Sequence, residues 1–426
     1  MMGGILWWIH HFVSQNEGVL LIGLSGLSFL FYGYLLLLPM TVRQIFIAAI
    51  GLRCLLFWGM PHMSDDIFRF IWDGSITLSG HSPYGILPAD ALKAGWQGVS
   101  KSIFEQMNSP GYYTVYPPVS QCYYALTALG GELSWSVLIL RILLTVTEIT
   151  GLWYVIRLLR HWHKPIHWAA IFILNPLVLL EGTGNLHFEP AMFSLLAISM
   201  YQMERGRWKT AAFWFAVSIG LKLLPLMLLP WLWLRCDRLQ KKVFFTQLGV
   251  WLLVIFCPLL IAPGLWGMGK SVGLYFQNFE FNASVYFLIR ELVSLYTGYN
   301  AIAWIGPVLG FLAAMCICTL AYLWRRLPLS DVGRFGLAAW TIYLLLATTV
   351  HPWYAVGPLF FGLFTGRIYT VFWSWLVLFS YTLYGNLENT QWNAWIFLEY
   401  LLLGGMMLGE KYIGLPINFT KQIKEK

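Results

Sequence analysis

Apolar runs separated by short polar tracts dominate this chain. Most are long enough to cross a bilayer as helices, which takes roughly 20 residues with tolerance for shorter ones. They fall near 17–39, 43–61, 135–157, 166–181, 189–204, 208–221, 242–262, 300–324, 333–350, 352–366, 368–385 and 393–410. A shorter run at 224–235 follows the Lys222–Pro225 break and can return the chain to the side it left. The Pro-led stretch 117–131 reads as a helix lying on the membrane surface. The pattern predicts an all-α polytopic membrane protein of about 11–13 spans. No repeat, low-complexity tract or separate soluble domain interrupts it, so residues 1–426 read as one domain. The first run, Gly18 to Met40, lacks a basic lead and a small-residue cleavage site and reads as a retained span.

Composition agrees. Apolar residues make up 58% before glycine is counted, and charged residues only 11%. A soluble domain carries roughly 45–50% apolar residues with glycine included and about 25% charged. That excludes a soluble enzyme, a coiled coil and a disordered scaffold.

The net charge of +8 is topological. Lys and Arg gather in short tracts between apolar runs: Arg157, Arg160 and Lys164; Arg205, Arg207 and Lys209; Arg235, Arg238, Lys241 and Lys242; Arg325, Arg326 and Arg334; Lys411, Lys421, Lys424 and Lys426. With the amino terminus outside, all of these fall on the cytoplasmic side, as the positive-inside rule requires. None forms a basic face interleaved with stacking aromatics, so no nucleic-acid partner is expected. Cys316 and Cys318 are two apart on one helix and point in different directions; neither a disulfide framework nor a zinc site is suggested.

The opposite face then holds residues 62–134, 181–188, 263–299, 351 and 386–392, and the unusual chemistry collects there. In the first outer loop, about 62–134, Ser64 reads as an N-cap with Asp65 and Asp66 in the first helical turn. Ile67, Phe70, Ile71 and Leu78 make an apolar face, Asp65, Arg69 and Asp73 an i, i+4 ladder, and Gly74 with the Gly80–Gly85 region ends the helix. The bland reading of the aspartates is a capped amphipathic helix. Three features weigh against it: Glu181, Asn185, His187 and Glu189 at the mouth of two spans, Lys222 at the outer end of another, and His351 opening a further one. Ionisable groups at membrane depth are costly and tend to serve a function.

These residues also carry a resemblance. SDDIFRFIWDG and GHSPYG, then VYPPVSQ, GNLHFEP, KLLP, FNAS and HPWY, run in order from about residue 60 to residue 360. In that order and spacing the chain resembles the GT-C superfamily of polyprenol-phosphate-dependent glycosyltransferases, above all the mannosyltransferase-like members of glycosyltransferase family 87. It departs from the commoner family pattern in having two apolar runs before the acidic loop. The resemblance implies a GT-C-like fold whose outer-face catalytic loop carries short amphipathic helices. An acidic residue early in that loop would serve as base, and a sugar, mannose being the family's commonest, would come from a lipid-linked donor.

On that footing each candidate has a role and a bland alternative. Asp65 or Asp66 fits the base that an acceptor hydroxyl needs within hydrogen-bond reach, with Arg69 holding one of them ionised. The two differ by about 100° of azimuth, and Asp65 lies one turn before Arg69, so Asp66 is favoured. Lys222, Arg290 and His351 are candidates to meet the leaving phosphate; Glu189 could stabilise an oxocarbenium-like ring. Asn282 and the Tyr113–Tyr116 stretch could orient and stack on the sugar. Against these, the tyrosines suit an interfacial belt, Arg290 can pair with Glu291, and Asn282 opens a glycosylation sequon. A single base without a covalent carboxylate step predicts inversion. No cofactor is required: Asp65 and Asp66 could bridge a divalent metal to a phosphate, but two adjacent acids do not support one.

The expected partners are a polyprenyl-phosphate-linked sugar donor, a glycan or glycolipid acceptor and the lipid bilayer. The expected place is a bacterial inner membrane with the site on its periplasmic face. Two rival classes are a transporter or flippase of a lipid-linked glycan, which favours repeats and midplane charges, and a lipid-linked glycan ligase or polymerase, which does not call for the acidic first loop.

Overall fold

The computed structural model describes residues 1–260, 264–384 and 393–412; the expected outer segment 386–392 and the basic residues Lys421, Lys424 and Lys426 lie outside them. The described chain is helical throughout, with no strand among the described residues and one isolated parallel bridge, Phe281 with Thr349. Helix α1 (Met2–Phe12), α2 (Gly18–Leu37) and α3 (Val42–Leu55) lead into the loop expected to lie outside. The loop carries α4 (Asp66–Leu78), the short α5 (Pro88–Lys93) and α6 (Lys101–Glu105), and α7 (Pro118–Ala128). Next come α8 (Leu133–His161), α9 (Ala169–Ile173) and a π-helical turn (Val178–Gly184). Helices α10 (Glu189–Glu204), α11 (Trp208–Leu221), α12 (Leu229–Arg235) and α13 (Arg238–Leu260) follow. The remainder is α14 (Gly264–Asn278), α15 (Val285–Thr297), α16 (Ile302–Leu323), α17 (Val332–Leu346), α18 (Val356–Thr365), α19 (Tyr369–Leu376) and α20 (Ala394–Tyr412).

Every apolar run predicted as a span contains a helix. Among the described residues five stretches are long and apolar enough to cross a membrane: Gly18–Leu37, Leu133–His161, Arg238–Leu260, Ile302–Leu323 and Leu329–Leu346. Ile166–Ile173 and Val178–Gly184 form one more if the bent pair, at 58°, is one span. The other runs fold as shorter helices. The protein is thus an all-α polytopic membrane protein.

The bend has a local cause. Pro176 cannot continue the hydrogen-bond ladder, and Asn175 fills the gap: its Oδ1 accepts from the Leu177 amide at 2.9 Å and its Nδ2 donates to Ser374 Oγ at 2.9 Å. The π-turn beyond it carries Glu181, fully buried.

The apolar packing centre is formed largely by α8, α10, α11, α17 and α18, where residues such as Leu144, Phe193, Phe215, Trp340 and Phe360 are fully enclosed. Two arginines thread it. Arg53 of α3 meets Glu148 of α8 at 2.6 Å with both side chains fully buried, and its Nη1 also donates to the Ala49 and Ile173 carbonyls. Arg141 of α8, equally buried, donates to the carbonyls of Phe57, Gly59, Thr183 and Gly184, and its Nη2 lies 3.1 Å from His10 Nε2. It therefore ties the lead into that loop to the π-turn.

Helix α4 differs from expectation at both ends. It begins at Asp66, with Asp65 in the N-cap position at φ −93° and ψ 4° and making no side-chain cap bond. Ser64 Oγ accepts weakly from the Asp66 amide at 3.4 Å. Gly74 does not end the helix; it lies inside α4, where a Cβ would collide with the Tyr124 carbonyl oxygen of α7. The glycine is a contact point between two helices, and the turn comes at Gly80, φ +80°.

Candidate active site

Asp66 stands at the first position of α4, with its side chain 23% exposed. Its Oδ1 accepts from Asn108 Nδ2 and its Oδ2 from the Tyr116 hydroxyl, both at 3.3 Å. Burial raises this carboxyl above the ordinary range; Asn108, Lys222 and Tyr116 oppose the shift without cancelling it. Asp65 beside it is also raised, first by burial and then by the Asp66 charge, while a hydrogen bond from Gln15 opposes.

Arg69 does not hold either aspartate by direct contact. Its Nε donates to Asp73 Oδ1 at 2.9 Å, and its Nη1 donates to the Ser109 and Tyr112 carbonyls at 3.1 and 3.0 Å. Asp65 drops out of the anticipated ladder because it precedes the helix and lacks the azimuth that i, i+4 pairing needs. Arg69, 3% exposed, instead pins the 109–112 segment over α4, which brings Asn108 and Tyr116 to Asp66.

Across from Asp66, Lys222 reaches in from the break after α11. Its extended backbone, φ −151° and ψ 144°, ends the helix, and the chain resumes as a 3-10 turn over Leu224–Leu228 with Pro225 in its first positions. The ammonium is ion-paired with Glu189 of α10 and lies 5.8 Å over the Tyr354 ring. Glu189 is fully buried and Lys222 keeps 20% of its side chain exposed, so the charge faces the opening. Glu189 Oε2 has no partner.

His187 closes the space between the two walls. Its Nδ1 lies 4.0 Å from Asp66 Oδ2 and its Nε2 lies 3.4 Å from Glu181 Oε2. Trp353 stacks on it at 3.5 Å between centroids, and His351 also stacks on that indole, at 4.5 Å. Both imidazoles are kept neutral: burial first, then Lys222, lowers His187 well below its usual value and His351 to about 3.

These groups surround a cleft of about 1110 Å³. Asp65, Asp66, Tyr116, His187, Glu189, Lys222 and His351 line its polar end. Gln15, Ser64, Asn108, Gln277 and Thr348 also line the cleft, and an apolar stretch of the wall runs along Gly306, Gly310, Ala313, Ala314 and Ile317 of α16, Leu346 and Ala347 at the end of α17, and Leu224 and Met227. Glu181 and Asn185 sit behind His187, buried and bonded to each other at 3.1 Å. Tyr113, Asn282 and Arg290 are outside the wall. Tyr113 packs edge-on against Trp266, and Asn282 is buried against Glu399 at 3.4 Å with Tyr400 donating to its carbonyl. Arg290 pairs with Glu280 and Glu291.

Sequence reasoning missed Asn108, Gln15, Trp353 and Tyr381. Asn108 and Gln15 carry no local signal, since only the folded loop brings them to the aspartates. Trp353 was in view inside HPWY as part of a motif, and its stacking against two histidines needed the fold. Among the described residues no three His, Cys, Asp or Glu side chains converge as a metal site.

Residues 3–266 match the family model described as Alpha-(1->6)-mannopyranosyltransferase, N-terminal domain. Alpha-(1->6)-mannopyranosyltransferase A of Mycobacterium tuberculosis is 24% identical over 325 residues, covering 70% of this chain and 61% of the relative. The protein of the same name from Corynebacterium glutamicum is 22% identical over 177 residues, 41% of this chain and 35% of the relative. The chain therefore spans less than two thirds of the length of the curated relatives it matches.

Proposed function

The chain belongs to the alpha-(1->6)-mannopyranosyltransferase family, and from that premise we propose that it transfers mannose from a polyprenyl-phosphate donor to a glycan or glycolipid acceptor, with inversion. The reaction would run at the outer face, in a bacterial inner membrane at its periplasmic side.

The observation that carries this reading is the two-ended cleft. One end sets a half-buried carboxylate opposite a partly exposed ammonium; the other descends between membrane-spanning helices with an apolar wall. A polyprenyl phosphate has the same two ends. Its chain suits the small-residue face of α16, where Gly306 and Gly310 leave room, and its phosphate suits the Lys222 end. Lys222 would gather the negative charge that grows on the phosphate as the sugar leaves. Asp66 would take the acceptor proton. Its partial burial raises its affinity for that proton, and Asn108 and Tyr116 fix its orientation. A single base that activates the attacking hydroxyl, without a covalent carboxylate step, gives inversion. The step as drawn uses no cofactor, so chelation should leave turnover unchanged.

Asp66→Asn tests this assignment, because it keeps size and hydrogen bonding while removing basicity. Turnover should fall by about 10²–10⁴-fold, the usual share of general-base catalysis, with the lipid donor still bound. Near-normal turnover would return the aspartate to a helix-terminal role.

A further inference from the structure

Behind Asp66 lies a second carboxylate that does not itself line the cleft. Glu181 is fully buried at the π-turn, and donors converge on it: the Tyr381 hydroxyl at 2.8 Å on Oε1 and the Asn185 amide at 3.1 Å on Oε2. His187 Nε2 is the third neighbour, 3.4 Å from Oε2, an ion-pair distance and not a formed hydrogen bond, and among the described residues it makes no hydrogen bond. A carboxylate that accepts from two donors orients a neighbouring imidazole with its N–H toward it. The neutral ring then carries its one proton on Nε2. Its Nδ1 is left as a bare lone pair, and that atom faces Asp66 Oδ2 at 4.0 Å. Trp353, stacked at 3.5 Å, holds the ring plane in this pose.

We propose that His187, kept in its Nε2–H form by Glu181, accepts a hydrogen bond from Asp66 once the aspartate has taken the acceptor proton. The inference rests on the reading of Asp66 as base. The acceptor O–H bond breaks and a carboxyl O–H bond forms on Asp66. The freed electron pair makes the new bond to the sugar anomeric carbon, and the bond from that carbon to the phosphate oxygen breaks with its pair going to the phosphate. The carboxyl proton points at Nδ1 until the product leaves, then passes to water. The 4.0 Å gap is too long for a hydrogen bond in the ionised state, where two lone pairs oppose each other, and protonation of Asp66 removes that opposition. His187 is on this account a positioning residue that favours the protonated form of the base.

The charged groups around the pair act on it in both senses: the carboxylates of Asp65 and Glu189, as like charges, favour the protonated form of Asp66. Lys222 and Arg69 act on Asp66 in the opposite sense, favouring its ionised form. Asp65 and Glu189 lie alongside and across the cleft, Tyr116 and Asn108 donate to the ionised carboxylate, and Lys222 and His351 face the His187 ring. His187 Nδ1 is the acceptor placed to bond the protonated carboxyl.

The test is the pH profile of kcat for the purified full chain, with a short-chain polyprenyl-phosphate mannose and an alkyl mannoside acceptor. His187→Phe keeps the stacking surface but loses Nδ1. Glu181→Gln keeps the shape but frees the tautomer, letting the ring donate to Asp66 instead. A hydrogen bond to the protonated carboxyl raises its pKa, so losing it lowers the pKa. In both variants the acid limb should therefore move to lower pH, by on the order of one unit, with kcat at the optimum down about tenfold and donor KM unchanged. An acid limb at the wild-type position in the folded variants overturns the proposal, and Glu181→Gln carries the test alone if His187→Phe does not fold. Asp66→Asn run beside them separates the two readings. Loss of its turnover with an unmoved limb in the others sinks only the His187 role; retained turnover sinks both.

Discussion

Lys222 shows how one residue can be set in place by the backbone it interrupts. The extended conformation after α11 turns its side chain across the mouth of α10 to Glu189, leaving part of the ammonium open to the cleft. If it meets the donor phosphate, Lys222→Ala should raise the donor KM by about 10–100-fold, since a hydrogen bond to a charged group contributes about 1.5–3 kcal/mol. That variant also strands the buried Glu189, so the informative comparison adds Glu189→Gln. Donor KM measured in the double variant should stay high; recovery to the wild-type value would mean that Lys222 serves only to neutralise Glu189. The same residue shows what the sequence made legible. Lys222, His351, Glu189 and the aspartates stood out because an ionisable group at a membrane mouth is costly wherever it folds. Arg69 was read toward Asp65 when it pairs with Asp73, because both lie four positions away and only the true helix start chooses between them. Arg290 and Asn282 share an outer segment with no local mark of whether it faces the cleft, and their contacts turn out to be with Glu280, Glu291 and Glu399.

Among the elements, α3 and α8 are joined by an ion pair that periodicity did not reveal. Arg53 and Glu148 sit inside predicted apolar runs ninety-five positions apart, and each is buried to 0% exposure. In a membrane protein such a pair is strongly coupled, because either partner alone leaves an uncompensated charge without water. Arg53→Met and Glu148→Leu should each destabilise the protein by about 3–5 kcal/mol. The double variant should recover most of that loss, as read from melting temperatures in detergent. Additive losses would mean that the arginine matters through the Ala49 and Ile173 carbonyls instead. Element existence was readable because lipid demands continuous apolar helices. Element boundaries were less so: Gly74 looks like a stop in the sequence and is a close contact with α7 in the fold, and Pro176 breaks one predicted run into two short helices.

At the scale of the whole molecule, the folded chain gathers three segments distant in sequence, around Asp66, His187 and His351, over a cleft whose floor is the apolar face of α16 and α17. The family relationship supports mannosyl transfer, and the cleft supports a donor that is part lipid. A transferase differs from a transporter of the same lipid in needing a base and a phosphate-binding cation at one mouth, the roles proposed for Asp66 and Lys222, and in moving nothing across the membrane. The most direct measurement is therefore made on the protein reconstituted in vesicles with polyprenyl-phosphate mannose in the leaflet facing the acceptor. The account predicts that mannose appears on the acceptor and polyprenyl phosphate accumulates in the same leaflet, with no need for a nucleotide sugar. Movement of intact mannolipid between leaflets without transfer, or transfer from a nucleotide sugar alone, would contradict it.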